Sequence, residues 1–167
     1  HWALQQRGHF PYSPENFSLK NILIEVTDMF RDIASSKNIN LDFVLTDDFD
    51  VYIDKNTTTA IFRNLLNNAV KFTPADSQIQ ITVEKNKEDQ VGIVKVIDSG
   101  VGIPADKLKI LFNLNENITT KGTMGETGLG LGLQLVYEFI QLNKAEIEVE
   151  SSEGKGTTFT VRLPLNA

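Results

Sequence analysis

The hydrophobic periodicity of this chain switches repeatedly between helical and strand spacing, and this switching restricts the possible folds more than any other feature. Residues 19 to about 37, including Ile33 in the apolar stripe, and residues 54–72 have the spacing of amphipathic helices. A third helical stretch begins at Gly128 and continues to about Asn143. Elsewhere apolar residues alternate with polar ones, which indicates half-buried strands.

The alternating segments predict about six strands, at residues 39–45, 51–53, 78–85, 91–97, 145–151 and 157–163. Asp54 is predicted to cap the second helix, and Thr73-Pro74 to end it. Residues 9–17 contain two prolines and are predicted to form an extended connector. The later strands follow one another closely enough to pair as hairpins. We therefore predict an α+β fold, a two-layer sandwich in which three main helices pack on one face of a mixed, mostly antiparallel sheet.

Composition excludes several functional classes. The chain has 167 residues, which is about one domain, and its net charge of −6 argues against nucleic-acid binding. No apolar run reaches the ~18 residues of a membrane span, so we expect no membrane contact by this segment. The absence of cysteine excludes thiolate metal sites and favours a reducing compartment, so a cytoplasmic location is expected. The two histidines, at positions 1 and 9, argue against a His-rich zinc site.

The second predicted helix carries a polar face that could bind a metal ion and a phosphate. Asn64 and Asn68 are four residues apart and Lys71 follows three residues later, so all three share one side of the helix. Amide oxygens are hard ligands of the kind that Mg²⁺ accepts, and lysine suits phosphate. The alternative interpretation is an ordinary solvated face.

A second candidate site follows the strand at residues 91–97. There Asp98 is followed by Gly100 and Gly102, which permit unusual backbone angles and close approach to a ligand. A carboxylate at the end of a buried strand can accept a hydrogen bond from an exocyclic amine. The alternative is a glycine-containing turn that the aspartate helps to cap.

A third candidate site is the glycine-rich start of the last helix. Glycines occupy four of eight positions there, although each glycine weakens a helix by roughly 1 kcal/mol relative to alanine. Bare backbone N–H groups at a helix start can bind an anion, which would explain the glycines, listed as Gly125, Gly128, Gly130 and Gly132. A glycine cluster required only for packing is the alternative. Lys121 lies just upstream in a stretch without periodicity, either a phosphate-facing lid or an irregular loop.

Together these motifs resemble the sensor histidine kinases. Residues 64–73 (NLLNNAVKFT) resemble the family's N box, and residues 98–104 (DSGVGIP) its first glycine box. Residues 127–131 (TGLGL) resemble the second glycine box, and residues 154–164 resemble the closing strand pair. The order and spacing of all four also match. The resemblance implies the Bergerat, or GHKL, ATP-binding fold over residues 10–165, with an ATP lid at about 105–127.

The resemblance also implies roles for individual residues. Asp98 would bind the adenine amine, Gly100 and Gly102 would shape that pocket, and Asn68 would ligate Mg²⁺. Asn64 would lie beside the metal ion and Lys71 would contact phosphate. Further nucleotide contacts are implied for Lys121, Thr127, Gly128, Leu129, Gly130 and Thr158.

By the same resemblance, residues 1–9 would be the end of a truncated helix from a dimerisation and phosphoacceptor domain. The expected function is presentation of Mg-ATP for γ-phosphoryl transfer to a histidine on that helical domain, with relay to an aspartate of a response-regulator receiver domain. The parent protein would be a homodimer, with any membrane anchor outside this segment. This chain lacks the phosphoacceptor histidine and is expected to be inactive alone. The alternatives are a non-catalytic ATP-sensing module of the same fold, or another GHKL relative such as an anti-sigma-type serine kinase or a topoisomerase-like ATPase.

Overall fold

The computed structural model describes residues 11–109, 111, 119–121 and 127–167. The helix end predicted at residues 1–9 lies outside the described residues. So do positions 110, 112–118 and 122–126 of the predicted lid.

The three long helices and the six predicted strands occur in the predicted order. The helices are α1 (Leu19–Ser36), α2 (Lys55–Phe72), the single turn α3 (Ala105–Leu108) and α4 (Gly130–Leu142). The strands are β1 (Pro14–Ser18), β2 (Asn40–Leu45), β3 (Asp50–Asp54), β4 (Gln78–Asn86), β5 (Val91–Asp98), β6 (Thr119–Lys121), β7 (Thr127–Leu129), β8 (Glu146–Ser152) and β9 (Gly156–Pro164).

The main sheet has five strands in the order β2-β4-β5-β9-β8. Strand β2 pairs with β4 in parallel, and the other neighbours are antiparallel. On one face of the sheet, alternate residues of the central strands are buried, listed as Ile79, Ile81, Val83, Val94, Val96, Phe159, Val161 and Leu163. The apolar stripes of α1, α2 and α4 contribute the other half of this core. The predicted α+β sandwich with a mixed, mostly antiparallel sheet is confirmed.

Helix ends and faces mostly agree with the sequence. Ser18 caps α1 and Asp54 caps α2, through hydrogen bonds from Asn21 N and Thr57 N of 3.2 and 3.0 Å. The prediction for Ile33 was wrong, because its side chain is 51% exposed. The apolar stripe of α1 is wider than the surface that packs against the rest of the domain, and Ile33 lies at the uncovered margin of this stripe. None of the described helices is both long enough and apolar enough to cross a bilayer.

The connector predicted at residues 9–17 contains a strand that the sequence did not reveal. Strand β1 pairs antiparallel with β3 and forms a separate two-stranded sheet, with Pro14 opposite Asp54. Proline is tolerated there because β1 lies at the edge of this sheet.

A buried polar network joins the start of α2 to the end of α4. Asp54 is 5% exposed, and both of its carboxylate oxygens accept hydrogen bonds. Oδ1 accepts from Ser13 N at 3.3 Å, and Oδ2 accepts from the backbone N and the hydroxyl of Thr57 at 3.0 and 2.7 Å. Asn143 completes the network: its Oδ1 accepts from Asp54 N and its Nδ2 donates to Thr57 Oγ1, each at 2.8 Å. Internal hydrogen bonds therefore satisfy the buried polar groups where the start of α2 meets the end of α4.

Candidate functional site

Helix α2 presents its polar residues along one face, as their spacing predicts. Asn64, Asn68 and Lys71 are all half-buried, and the opposite stripe of the helix lies in the core. Asn64 Nδ2 donates to the carbonyl of Ala60 at 2.7 Å. Within the part of the chain that the structure describes, the Asn68 amide has no hydrogen-bond partner. Its oxygen, a hard neutral ligand, therefore fits a magnesium ion whose other ligands come from phosphate or water.

A buried lysine that the sequence analysis did not single out supports the end of this helix. Lys37 is 6% exposed, and its Nζ donates to the carbonyls of Val70 and Lys71 at 2.8 and 3.0 Å. A cation is favourable there because the last carbonyls of a helix carry partial negative charge. The turn that contains Lys71 is thereby held against the C-terminal end of α1.

Asp98 ends β5 and uses one carboxylate oxygen for internal hydrogen bonds. Its Oδ1 accepts from Gly100 N at 2.9 Å and from Thr157 N at 3.2 Å. Among the described residues, Oδ2 has no partner. Burial raises the pKa of Asp98 to about 6, against the lowering effect of the two backbone hydrogen bonds. A desolvated carboxylate with one unused oxygen is suited to accept a hydrogen bond from a ligand amine.

The glycines after Asp98 are required by close backbone contacts. A Cβ at Gly100 would lie 2.4 Å from the carbonyl oxygen of Phe72, the last residue of α2. Val101 N donates to the same oxygen at 3.1 Å. Gly102 has a φ of +75°, and a Cβ there would lie 2.1 Å from the carbonyl oxygen of Ser152. The loop therefore brings the carboxylate of Asp98 to the same end of α2 as Lys71.

The first turn of α4 lies beside the polar face of α2. Gly132 is in the first turn of α4, and a Cβ there would lie 3.2 Å from Asn64 Oδ1, so glycine permits this close approach. The helix begins at Gly130, two residues later than predicted, because residues 127–129 form β7 instead. In the β6–β7 ladder, Lys121 is opposite Thr127, Gly128 opposite Thr120 and Leu129 opposite Thr119.

Strand register separates Thr158 from the rest of the predicted site. Thr157 is opposite Asp98, whereas Thr158 is opposite Ile97. Paired residues project to the same side of a sheet and successive residues to opposite sides, so Thr158 lies on the face away from the Asp98 carboxylate. Thr157, which the sequence analysis missed, is the threonine that contacts this carboxylate. Gly156, directly before Thr157, was the sequence signal that could have revealed this contact. Glycine is required there because its φ is +108° and a Cβ would lie 2.0 Å from the carbonyl oxygen of Asp98.

The structure thus brings together Asp98, its glycine loop, the polar face of α2 and the start of α4. The only predicted site residue with a described side chain that lies apart from them is Thr158.

Comparisons with known proteins agree with this arrangement. Residues 53–167 match the family described as histidine kinase-, DNA gyrase B- and HSP90-like ATPase. The chain is 32% identical over 168 residues to the autoinducer 2 sensor kinase/phosphatase LuxQ of Vibrio harveyi, covering 96% of this chain and 19% of LuxQ. It is 35% identical over 153 residues to sporulation kinase E of Bacillus subtilis, covering 90% of this chain and 20% of that protein. The chain therefore spans about a fifth of the length of these relatives.

Among solved structures, the catalytic domain of histidine kinase ThkA in a nucleotide-free form superposes with a TM-score of 0.78 at 26% identity. This match covers 92% of the present chain and 96% of the ThkA chain. The sheet order, the glycine loops and these relatives lead to one conclusion. The chain belongs to the family of histidine kinase-, DNA gyrase B- and HSP90-like ATPases and is the ATP-binding catalytic domain of a sensor histidine kinase.

Proposed function

We propose that this domain holds Mg-ATP with the adenine at Asp98 and the phosphates beside α2 and the start of α4. One observation carries the proposal: Asp98 has one carboxylate oxygen held by two backbone N–H groups and the other unused, at the same end of α2 as Lys71. The fixed oxygen orients the carboxylate, and the unused oxygen accepts a hydrogen bond from the adenine amine. Gly100 and Gly102 let the loop after Asp98 pack against the backbone of Phe72 and Ser152, which fixes the position of the carboxylate.

The opposite end of the pocket suits phosphate. Lys71 supplies positive charge, and the backbone at Gly130 adds N–H groups at the start of α4. Asn68 would hold Mg²⁺ through its amide oxygen, and Asn64 would lie beside it. Bound magnesium would neutralise phosphate charge, which is the main requirement of phosphoryl transfer. Lys121 and Thr127 belong to the proposed lid over residues 105–127, and Gly128 and Leu129 follow it as part of the second glycine box. Thr157 replaces Thr158 as the threonine at the base.

In the parent protein, we propose, the γ-phosphoryl group passes to a histidine on an adjacent helical dimerisation domain and then to an aspartate of a response regulator. A histidine kinase of this fold, ThkA, has a solved complex with the response regulator TrrA, which makes a receiver domain a reasonable partner. The parent is proposed to be a homodimer with this domain in the cytoplasm.

The direct test is calorimetric titration of the chain with Mg-ATP, for the wild type and for Asp98→Asn. The variant keeps an oxygen for Gly100 N and Thr157 N but places an amide NH₂ opposite the adenine amine. We expect affinity to fall by at least about thirtyfold, because an acceptor is replaced by a donor. Asp47→Asn, which neutralises an exposed carboxylate between β2 and β3, is the control. An unchanged affinity in Asp98→Asn would refute the adenine assignment.

The transfer step needs its own measurement. Addition of the parent protein's separated helical domain with Mg-ATP should produce acid-labile, base-stable phosphohistidine. Tight ATP binding without any phosphohistidine would favour the alternative, an ATP-sensing module that does not transfer phosphate.

A further inference from the structure

Ser151, which is not among the proposed nucleotide-binding residues, lies at the junction of three parts of the site. Its Oγ accepts a hydrogen bond from Ile103 N at 2.8 Å, at the end of the Asp98 glycine loop. The same oxygen lies 3.0 Å from the carbonyl of Gly156 and 2.8 Å from Thr157 Oγ1. Thr157 in turn donates its backbone N–H to Asp98 Oδ1. Ser151 therefore connects the loop, the β8–β9 hairpin and the residue that holds the base-binding carboxylate.

The directions of these hydrogen bonds follow from counting protons. A serine hydroxyl has one proton to donate and two lone pairs that accept. The carbonyl of Gly156 can only accept, so the Ser151 proton points to it. The two lone pairs of Ser151 then accept from Ile103 N–H and from the Thr157 hydroxyl. This is the one arrangement that satisfies all three contacts.

This arrangement determines what Thr157 can offer a ligand. Its hydroxyl proton is engaged by Ser151, so only lone pairs remain on Thr157 Oγ1. Asp98 Oδ2, on the same side of the sheet, is also an acceptor. Facing position 6 of a purine, these two acceptors pair with an amino group and leave a carbonyl without a partner.

We propose that Ser151 is a specificity-determining positioning residue, which makes the base end of the pocket select 6-amino over 6-oxo purine nucleotides by fixing the hydroxyl direction of Thr157. The inference rests on the proposed binding of adenine at Asp98. Ser151 acts through Thr157 and the loop and does not itself touch the nucleotide.

The test compares Mg-ATP with Mg-ITP, which differ in carrying an amino or an oxo group at the purine 6-position. The 167-residue chain is titrated as wild type, Ser151→Ala, Ser151→Thr and Ser152→Ala. Ser151→Ala releases the Thr157 proton for donation to the carbonyl of ITP. The ATP-to-ITP affinity ratio should therefore fall about tenfold, the value of one hydrogen bond of this kind. Ser151→Thr keeps the oxygen and should keep the wild-type ratio, as should Ser152→Ala, whose side chain is exposed.

Amide hydrogen exchange gives a second readout without nucleotide. In Ser151→Ala, exchange of the Ile103 amide should accelerate about tenfold. Exchange of the Val101 amide, which donates to Phe72 O, should be unchanged. If the substitution only loosened the loop, binding of ATP and of ITP would weaken equally, and the ATP-to-ITP affinity ratio would stay at the wild-type value. That result in Ser151→Ala would overturn the proposal.

A different variant covers the case in which Ser151→Ala does not fold. Thr157→Val removes the hydroxyl but keeps the backbone N–H that Asp98 accepts, and should also lower the preference for ATP. A wild-type ratio in Thr157→Val would overturn the proposal. Failure of the underlying ATP assignment has a separate signature, namely unchanged ATP affinity in Asp98→Asn.

Discussion

Two aspartates of this domain occupy similar places and have opposite surroundings. Asp54 ends β3 and Asp98 ends β5, and both carboxylates are largely withdrawn from water. Asp54 accepts hydrogen bonds at both oxygens and begins a helix, whereas Asp98 accepts at one oxygen and begins a glycine loop.

The difference shows how one residue type serves stability in one place and binding in another. The bonds to Asp54 come from groups that folding has already brought together, so its carboxylate is satisfied without a ligand. Asp98 keeps an unused oxygen at a partly desolvated position, and the folded domain therefore stores an unfavourable interaction that a ligand can relieve. Three substitutions separate the stabilising role of Asp54 from the binding role of Asp98, with effects that decrease from the first to the third.

The largest effect is expected at the loop that distinguishes Asp98 from Asp54. Gly102→Ala would put a Cβ 2.1 Å from the Ser152 carbonyl oxygen at a φ of +75°. We expect a loss of at least about 3 kcal/mol in the free energy of unfolding, measured by urea denaturation, because two backbone segments must separate. Gly154→Ala is the matched control: its φ is +82°, but nothing lies within 4 Å of the added Cβ. It should cost only about 1 kcal/mol. Equal losses in the two variants would mean that the contact with Ser152 is unimportant.

The next effect concerns Asp54. Asp54→Ala removes the cap of α2 and leaves the N–H groups of Ser13 and Thr57 without an acceptor, so a loss of about 2–3 kcal/mol is expected in urea unfolding. Affinity for Mg-ATP should change less than threefold under conditions where the variant is folded. Asp50→Ala, at an exposed position of the same strand, is the control and should be nearly neutral. A large loss of ATP affinity with little loss of stability would reverse the roles assigned to the two aspartates.

The smallest effect depends on pH. Burial raises the pKa of Asp98 from 3.8 to about 6. The folded state therefore binds this proton more tightly than the unfolded state, so the free energy of unfolding falls as the pH rises from about 4 to about 6, and this cost is constant at higher pH. That cost is absent below about pH 4, where both states are protonated. Asp98→Asn removes the ionisation, so its stability relative to wild type should increase from pH 5 to pH 7 by about 1 kcal/mol and then level off. Denaturation at intervals of half a pH unit measures the difference, and a pH-independent difference would contradict the raised pKa.

Much of the fold was predictable because its signals are local. Periodicity located α1, α2 and the main strands within about two residues, and the cap residue Asp54 located the start of α2. The polar face of α2 was predictable for the same reason, since residues 64, 68 and 71 must share a side of any helix. Asp98 and its glycines were also visible, because unusual backbone geometry leaves its mark in adjacent residues.

Contacts between distant segments were not predictable. The pairing of β1 with β3 and the burial of Lys37 each depend on a partner far along the chain. Ile33 has the right spacing for the core, but whether a stripe position is covered depends on the width of the packed surface.

The sequence by itself determined the helices, the strands, the glycine turns and the residue types available for binding a nucleotide. The tertiary structure decided which of these residues meet. The choice of Thr157 over Thr158 follows from a strand register that joins positions 59 residues apart, and the role of Ser151 follows from a hydrogen bond that spans 48 residues. A shift of one residue in that register would exchange the two faces of β9.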